Sequence, residues 1–154
     1  MQLFTFRNAQ GAQATITNYG ETLTSLQVPD RLSRLGRLGH VVVGFDEVSG
    51  YQSAAFWQTT PYLGALIGRF GNRIARGHFE LDGQRYQLPI NNGPNSLHGG
   101  ARGFDQRVWQ ATPGISPDGS TLTLSCLSPD GEQGYPGTLR MTAGYTLTAA
   151  NELI

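Results

Sequence analysis

Two short segments of the sequence are dense in side chains that hydrogen-bond to hydroxyl groups. Residues 68–74 read Gly-Arg-Phe-Gly-Asn-Arg-Ile and place Asn72 beside Arg73. Residues 91–100 hold three asparagines, three glycines and His98. An amide offers both donors and an acceptor, a guanidinium is a planar fork of donors, and an imidazole can donate or accept. Such planar groups can bridge adjacent sugar hydroxyls, so the two segments predict a site for a polyhydroxylated ligand.

Each segment also has a simpler interpretation. Arg69, Arg73 and Arg76 could be surface charges on a strand, because arginine is mostly exposed in folded proteins. His98 could be a loop residue whose ring is satisfied by its neighbours. Neither segment alone identifies a reaction.

Motifs of several other chemistries are missing from the sequence. It has no glycine-rich phosphate loop followed by lysine, no paired-histidine or Cys-x-x-Cys metal spacing, and no Gly-x-Ser-x-Gly nucleophile elbow. Three of the six aspartates precede glycine in predicted turns, which leaves no obvious pair of carboxylates for glycoside hydrolysis. We therefore predict no metal site.

Composition and charge narrow the class of protein further. The 154 residues carry 11 basic and 11 acidic side chains, so the net charge is zero. This balance argues against a nucleic-acid binder, which needs a basic face. The apolar runs are too short to span a membrane, the first residues lack a signal-peptide pattern, and the single cysteine, Cys126, excludes an internal disulfide. We expect a cytoplasmic protein with no nucleic-acid or membrane partner.

Alternating apolar and polar residues predict β-strands. The alternation is clearest over residues 121–127 and 139–147. Asp82-Gly83 is a strong hairpin signal between predicted strands at 77–81 and 84–88. Further strands are predicted at residues 3–6, 13–17, 22–28, 39–45 and 107–112, with at most a helical turn within 48–56. The fold class is therefore all-β, a sandwich or barrel of short strands.

Ser-Pro-Asp-Gly occurs twice, at residues 116–119 and 128–131. Neither copy has the closely spaced oxygen ligands of a calcium loop. Proline at the second position and glycine at the fourth are typical of type I turns, which is our interpretation of both copies.

The sequence ends on a strand pattern, residues 145–147 and then 151–154, with no polar tail after it. Such an edge would expose unpaired backbone groups and apolar side chains. We therefore expect residues 1–154 to be the N-terminal portion of one longer domain whose C-terminal portion is absent here.

Five blocks, taken in order along the chain, resemble the aldose 1-epimerase (galactose mutarotase) family. They are residues 68–74, Leu-His-Gly-Gly at 97–100, Gly-Phe-Asp-Gln-Arg-Val-Trp at 103–109, Asp-Gly-Glu-Gln-Gly-Tyr-Pro-Gly at 130–137, and the strand pair at 145–147 and 151–153. The opening strands also look like those of the family. One departure is Gln106, where a lysine is common.

The resemblance implies a large, mostly antiparallel β-sandwich with an open sugar-binding cleft. It also implies interconversion of the α and β anomers of aldoses such as galactose and glucose, without a metal or organic cofactor. Asn72 and Arg73 match the family's sugar-binding Asn-Arg pair, and His98 matches its first active-site histidine. The family's general acid, a histidine, and its general base, a glutamate, lie beyond residue 154. No residue of this chain is therefore assigned as catalytic, and we expect the 154 residues alone to be inactive and poorly folded.

Two alternatives remain open from the sequence. An epimerase of phosphorylated hexoses, from a related group, would need extra cations for the phosphate, which Arg69, Arg76 and Arg102 could supply. A non-catalytic carbohydrate-binding sandwich is the other alternative, because a fold does not determine a function. The sequence predicts neither the preferred sugar nor the oligomeric state.

Overall fold

Two antiparallel β-sheets enclose the main apolar core. The computed structural model describes residues 1–30, 38–59 and 62–154. The first sheet has the strand order β1-β2-β3-β4 and the second the order β11-β10-β9. Their strands are β1 Leu3–Arg7, β2 Gln13–Thr17, β3 Thr22–Pro29, β4 Leu38–His40, β9 Gln110–Ser116, β10 Gly119–Ser128 and β11 Leu139–Thr148. This arrangement is the mostly antiparallel β-sandwich that the sequence predicts.

Two smaller sheets, two short α-helices and three single-turn 3₁₀ helices (Ala75–Gly77, Phe104–Gln106 and Glu132–Gly134) complete the described structure. Strand β5 pairs with β8, and β6 pairs with β7. The α-helices lie between β4 and β5, and in the described ranges none of the helices has the length and apolar character of a membrane span. Their bounds are β5 Arg73–Ile74, β6 His78–Leu81, β7 Gln84–Gln87, β8 Ser96–Leu97, α1 Val48–Tyr51 and α2 Ala54–Thr59.

The core forms because both large sheets turn their apolar side chains toward each other. Ala14 and Ile16 of β2 are fully buried, and so are Leu122 and Leu124 of β10. Together with Trp109 and others they form one cluster of buried side chains. In β10 the buried Leu122 and Leu124 flank the exposed Thr123, as a period of two requires for a strand with one face in the core.

Asn18 connects the first sheet to the chain segment that leads into β9. Its buried side-chain Nδ2 donates to the carbonyl of Trp109 at 3.2 Å, and the Trp109 amide donates to the Asn18 carbonyl at 2.8 Å. The indole Nε1 of Trp109 donates to the Phe104 carbonyl at 3.2 Å. These bonds hold residues 104–109 in place, and this segment follows the candidate site residue His98 by a few positions in the sequence.

Each of the nine predicted strands has a counterpart in the structure, but two of their ranges are wrong, and the two-residue strands β5 and β8 are not among the predicted ones. The stretch 39–45 leaves the sheet after His40, because the amide of Phe45 donates to the hydroxyl of Tyr51 at 3.0 Å instead. The strand predicted at 107–112 begins later, at Gln110, since Arg107 closes a 3₁₀ turn by donating to the Phe104 carbonyl. The Asp82-Gly83 hairpin is confirmed, with both residues at positive φ (52° and 75°), as a type I′ turn requires.

The last residues of the chain fold back along β11. The amide of Thr146 donates to the Ile154 carbonyl at 2.8 Å, and the Ile154 amide donates back to the Thr146 carbonyl at 2.9 Å. Leu153 pairs with Leu147 as an isolated bridge. Backbone groups of β11 that the sequence pattern leaves exposed are therefore partly hydrogen-bonded by residues 151–154.

Two carboxyl groups lie in the interior near the turn between β2 and β3. Glu21 is 1% exposed and Asp105 is 4% exposed, and one oxygen of each (Oε2 and Oδ2) has no hydrogen-bond partner. Burial raises the pKa of Glu21 to about 7 and that of Asp105 to about 6. Both groups therefore favour their neutral form in the folded chain at pH values where an exposed carboxyl is ionised.

We expect the free energy of unfolding to fall as the pH rises from about 4.5 to 7. A carboxyl whose folded pKa is raised binds more protons in the folded state than in the unfolded state over that interval, so folding is favoured at the acidic end. For Glu21 the difference between about 7 and the ordinary 4.5 sets an upper limit of about 3 kcal/mol. Urea unfolding at pH 5 and at pH 8 measures the change in the free energy of unfolding.

The substitution Glu21→Gln should remove most of this pH dependence and raise the free energy of unfolding at pH 8, because the amide stays neutral. Glu80→Gln, at an exposed position on β6, is the matched control and should leave the pH dependence unchanged. A wild-type protein whose stability is equal at the two pH values would contradict the prediction.

Candidate functional site

Asn72 and His98 face each other at the end of the small β5–β8 sheet. Arg73 pairs with Leu97 in that sheet, so the residues just before β5 and just after β8 are opposite each other. The backbone amide of Asn72 donates to Nδ1 of His98 at 3.0 Å, and the His98 amide donates to the Asn72 carbonyl at 3.1 Å. Both residues have left-handed backbones, with φ of 68° and 52°.

This pairing determines which ring nitrogen of His98 carries a proton. A nitrogen that accepts from an amide N–H has no proton of its own, so the neutral ring is protonated at Nε2. Burial lowers the pKa of His98, and the nearby positive charge of Arg73 lowers it further. At neutral pH the ring is therefore uncharged and offers Nε2–H as a hydrogen-bond donor.

Arg73 is exposed and held by two asparagines. Its Nε donates to Oδ1 of Asn92 at 2.9 Å, and one of its terminal nitrogens donates to Oδ1 of Asn72 at 3.3 Å. The structure thus brings together all three residues that the sequence singles out, with the guanidinium near enough to the imidazole to affect its pKa.

Asn91 holds the 91–100 loop in shape. Its Nδ2 donates to the carbonyls of Leu97 at 3.0 Å and Gly100 at 2.8 Å, and its Oδ1 accepts from the Leu97 amide at 2.7 Å. Three hydrogen bonds from one side chain therefore fix the backbone on both sides of His98. The density of asparagine in this segment is the sequence signal for such a loop, although it does not identify Asn91 as the residue responsible.

A cavity of about 310 Å³ adjoins this group of side chains. The Tyr62 ring lines it and contacts the His98 ring edge to face, with the ring centroids 4.6 Å apart. Asn92, the partner of Arg73, lines it too. It is lined by aromatic, amide, aliphatic and small residues, namely Trp57, Tyr62, Asn91, Asn92, Leu97, Gly100, Ala101 and Gln106.

Arg69 has a structural role, because its side chain hydrogen-bonds to a distant segment of the chain. Its guanidinium donates to Oγ of Ser128 at 2.8 Å and to the carbonyls of Ser128, Pro129 and Pro136, each at 2.9 Å. Four hydrogen bonds use most of the five donors of an arginine. The side chain also lies over the ring of Tyr135, 5.9 Å from its centroid. Of the two interpretations from sequence, surface charge and sugar ligand, neither describes Arg69.

A second arginine continues this network. Arg107 forms an ion pair with Oε1 of Glu132, while the Ser128 hydroxyl donates to Oε2 of the same carboxylate. Arg107 also donates to the Leu127 carbonyl at 2.9 Å. Three of the sequence blocks, 68–74, 103–109 and 130–137, are therefore joined by charge-assisted hydrogen bonds.

Gly99 is required by a close approach between two of these segments. Its φ is 90°, and a Cβ at this position would lie 1.8 Å from the carbonyl oxygen of Gly68. Only glycine allows the loop that carries His98 to touch the segment that leads to Asn72.

Within the described part of the chain, histidine, cysteine and acidic side chains form no group of three that could hold a metal ion. The polar groups that do converge are an imidazole N–H, a guanidinium and several amides beside aromatic rings. The donors and acceptors are suited to the hydroxyl groups of a sugar, and the aromatic rings are suited to its apolar C–H face.

The fold is a mostly antiparallel β-sandwich, and comparison with known proteins identifies the family of the chain. A model of the aldose 1-epimerase family matches residues 2–154, and the chain therefore belongs to that family. It is 52% identical to the galactose mutarotase of Bos taurus over 132 residues, which are 86% of this chain and 35% of the relative. It is 37% identical to the aldose 1-epimerase of Escherichia coli over 152 residues, or 99% of this chain and 41% of the relative.

A solved structure of an aldose epimerase homologue from C. elegans has the same fold. It superposes with a TM-score of 0.83 at 31% sequence identity, covering 99% of this chain and 43% of that one. The chain thus spans about two fifths of the length of these relatives.

NMR spectroscopy can test the protonation state of His98. We expect the Nε2–H tautomer at pH 7 and a pKa below 6.5, because Nδ1 accepts the Asn72 amide and the ring is partly buried. Arg73→Met should raise the His98 pKa by removing a positive charge. Long-range ¹H–¹⁵N correlation measures both, with the His98→Ala variant identifying the signals. An Nδ1–H tautomer would contradict the observed hydrogen bond.

Arg69→Lys should destabilise the chain by about 2 kcal/mol or more, because an ammonium cannot reproduce the planar set of four hydrogen bonds. Chemical denaturation measures the change. Arg85→Lys is the matched control, since the side chain of Arg85 is 87% exposed, and its effect should stay within about 0.5 kcal/mol. Equal effects of the two substitutions would show that the Arg69 network contributes little stability.

Proposed function

We propose that the protein of which these residues form a part is an aldose 1-epimerase that interconverts the α and β anomers of hexoses such as galactose and glucose. The observation that carries the proposal is the arrangement of Asn72, Arg73 and His98, with a neutral imidazole donor beside a fixed guanidinium. Family membership supports the reaction, and the names of the relatives from Bos taurus and Escherichia coli support the substrate class.

The reaction requires proton transfer at two positions of the sugar. A base removes the proton of the C1 hydroxyl while an acid protonates the ring oxygen, so the ring opens to the aldehyde. Rotation about the C1–C2 bond and reclosure then give the other anomer. Each transfer by a positioned group accelerates the reaction by roughly 10²–10⁴-fold.

In this proposal Asn72, Arg73 and His98 bind and orient the sugar. The Nε2–H of His98 donates to a sugar oxygen, and the Arg73 guanidinium favours negative charge as it develops near the ring oxygen. The general acid and the general base are a histidine and a glutamate beyond residue 154. Residues 1–154 are then the N-terminal portion of a single larger domain.

The geometry of Arg69 weighs against an epimerase of phosphorylated hexoses. That alternative needs extra cations, which Arg69, Arg76 and Arg102 could supply, but the donors of Arg69 are directed at backbone carbonyls and Ser128. Arg76 and Arg102 are exposed. No observation favours a non-catalytic binding module. A cytoplasmic location stays a prediction from the sequence.

Polarimetry of freshly dissolved α-galactose and α-glucose tests the proposal with the complete protein. We expect an acceleration proportional to protein concentration, and a loss of about tenfold or more in kcat/KM for each of Arg73→Ala and His98→Ala, the effect of losing one charge-assisted or well-positioned hydrogen bond. A protein that leaves the spontaneous rate unchanged would overturn the proposed activity.

Exposed residues of the same types provide the matched controls. Arg85→Ala and His78→Ala lie on the β6–β7 hairpin, away from the three candidate residues, and should leave kcat/KM unchanged. If Arg73→Ala and His98→Ala behave like these controls, neither residue belongs to the sugar site.

A further inference from the structure

The side chain of Gln133 holds the backbone of the loop that carries His98. We call residues 97–102 the His98 loop. Oε1 of Gln133 accepts from the amide of Ala101 at 2.8 Å and from the amide of Arg102 at 3.3 Å. Because both donors are backbone groups of consecutive residues, these hydrogen bonds restrain the path of the chain three and four positions after His98.

The His98 loop needs such restraints because its backbone conformation is uncommon. His98, Gly99 and Gly100 have φ of 52°, 90° and 107°, so three consecutive residues are left-handed. This region is unfavourable for His98, since a Cβ there approaches the following carbonyl oxygen. Relaxation of the His98 backbone would change the direction of the imidazole. Asn91 opposes that relaxation at residues 97 and 100, and Gln133 opposes it at residues 101 and 102.

Gln133 lies directly against the His98 loop. A Cβ on Gly100 would lie 2.7 Å from Oε1 of Gln133 and 3.1 Å from its Cβ, so a side chain at position 100 would displace the amide. The carbonyl of Ala101 accepts from Nε2 of Gln106 at 3.2 Å. Side chains from two other segments therefore bind both the backbone donor and the backbone acceptor of Ala101.

The turn that carries Gln133 is itself anchored. Gln133 is the central residue of the 3₁₀ turn Glu132–Gly134, and its half-buried side chain leaves a left-handed backbone with φ of 51°. The carboxylate of Glu132 forms an ion pair with Arg107 and accepts from the hydroxyl of Ser128. Charge-assisted hydrogen bonds are stronger than neutral ones, so the neighbour of Gln133 is firmly held.

We propose that Gln133 is a positioning residue of the sugar site, which holds the His98 loop so that the imidazole keeps its contact with Asn72 and its free Nε2–H. Gln133 acts on the imidazole through the backbone of the loop. The effect on turnover rests on the proposed function, whereas the effect on the imidazole does not. Misplacing a binding group by about 1 Å can lower a rate by up to about 100-fold, so a support of this kind affects turnover without touching the sugar.

Steady-state polarimetry with the complete protein tests the role of the acceptor. Gln133→Met keeps a side chain of similar length but removes the acceptor, and should lower kcat/KM for galactose about tenfold. Gln133→Glu keeps an oxygen for both amides and should restore kcat/KM to within about threefold of wild type. Gln84→Met, at an exposed position on β7, is the matched control and should leave kcat/KM unchanged.

NMR spectroscopy of the complete protein provides a readout that does not depend on turnover and that a merely structural role would not move. In Gln133→Met the imidazole of His98 should lose its fixed contact with Asn72, so the Nε2–H tautomer should no longer predominate. The pKa of His98 should rise toward the ordinary 6.5, because burial and the charge of Arg73 both lower it in wild type. Gln133→Glu and Gln84→Met should keep the wild-type tautomer.

Hydrogen exchange in wild type gives a measurement that needs no variant. The amide of Ala101 should exchange slowly with solvent because it donates to Gln133, and exchange as fast as that of an unstructured amide would overturn the proposal. Urea unfolding shows whether Gln133→Met folds. If it does not, Gln133→Asn takes its place with the same expectations, because its amide is one methylene too short to reach the loop.

The outcomes separate this proposal from the proposed function. Wild type that accelerates mutarotation while Gln133→Met keeps its kcat/KM within about twofold would overturn the role of Gln133 and leave the activity standing. A lower kcat/KM with unchanged His98 signals would also overturn positioning through His98. Wild type that fails to accelerate mutarotation, while the His98 signals change in Gln133→Met and not in Gln133→Glu, would overturn the activity and support the restraint on the loop.

Discussion

The candidate site depends on the pair of hydrogen bonds that joins Asn72 to His98. One bond runs between backbones and the other from backbone to ring, so the position of the imidazole is tied to the β5–β8 register. Both residues have left-handed backbone conformations, which are uncommon for residues other than glycine. The contacts around them maintain these conformations here. The same contact determines the tautomer of His98, the direction of its free Nε2–H, and the proximity of its ring to Arg73.

Three charged side chains, Arg69, Arg107 and Glu132, connect the chain segments around this pair. Arg69 and Arg107 direct their donors at the 127–136 segment, and Glu132 receives both Arg107 and Ser128. Burying a charged side chain costs free energy unless its donors or acceptors are hydrogen-bonded, and those of Arg69, Arg107 and Glu132 are. By contrast, Glu21 and Asp105 each have one buried oxygen without a hydrogen-bond partner, and burial raises the pKa of both carboxyl groups.

The sandwich was predictable from local signals, because alternation and turn residues act over a few neighbouring positions. The alternation of apolar and polar residues alone predicts the strands β10 and β11, and the turn residues Asp82-Gly83 alone predict the hairpin. The grouping of Asn72, Arg73 and His98 came from composition and family resemblance. The role of Arg69 could not be predicted, since its partners lie 59 to 67 residues along the chain. Trp57 was missed for a similar reason, because a helical turn with no periodic signal gives no indication of which cavity it borders.

An aromatic cluster of Phe45, Tyr51, Phe56 and Trp57 lies beside the cavity. Its rings contact one another edge to face, and its members follow β4 without belonging to any strand. A substitution in this cluster would therefore reach the wall of the cavity through the packing of rings, and not through the register of any strand.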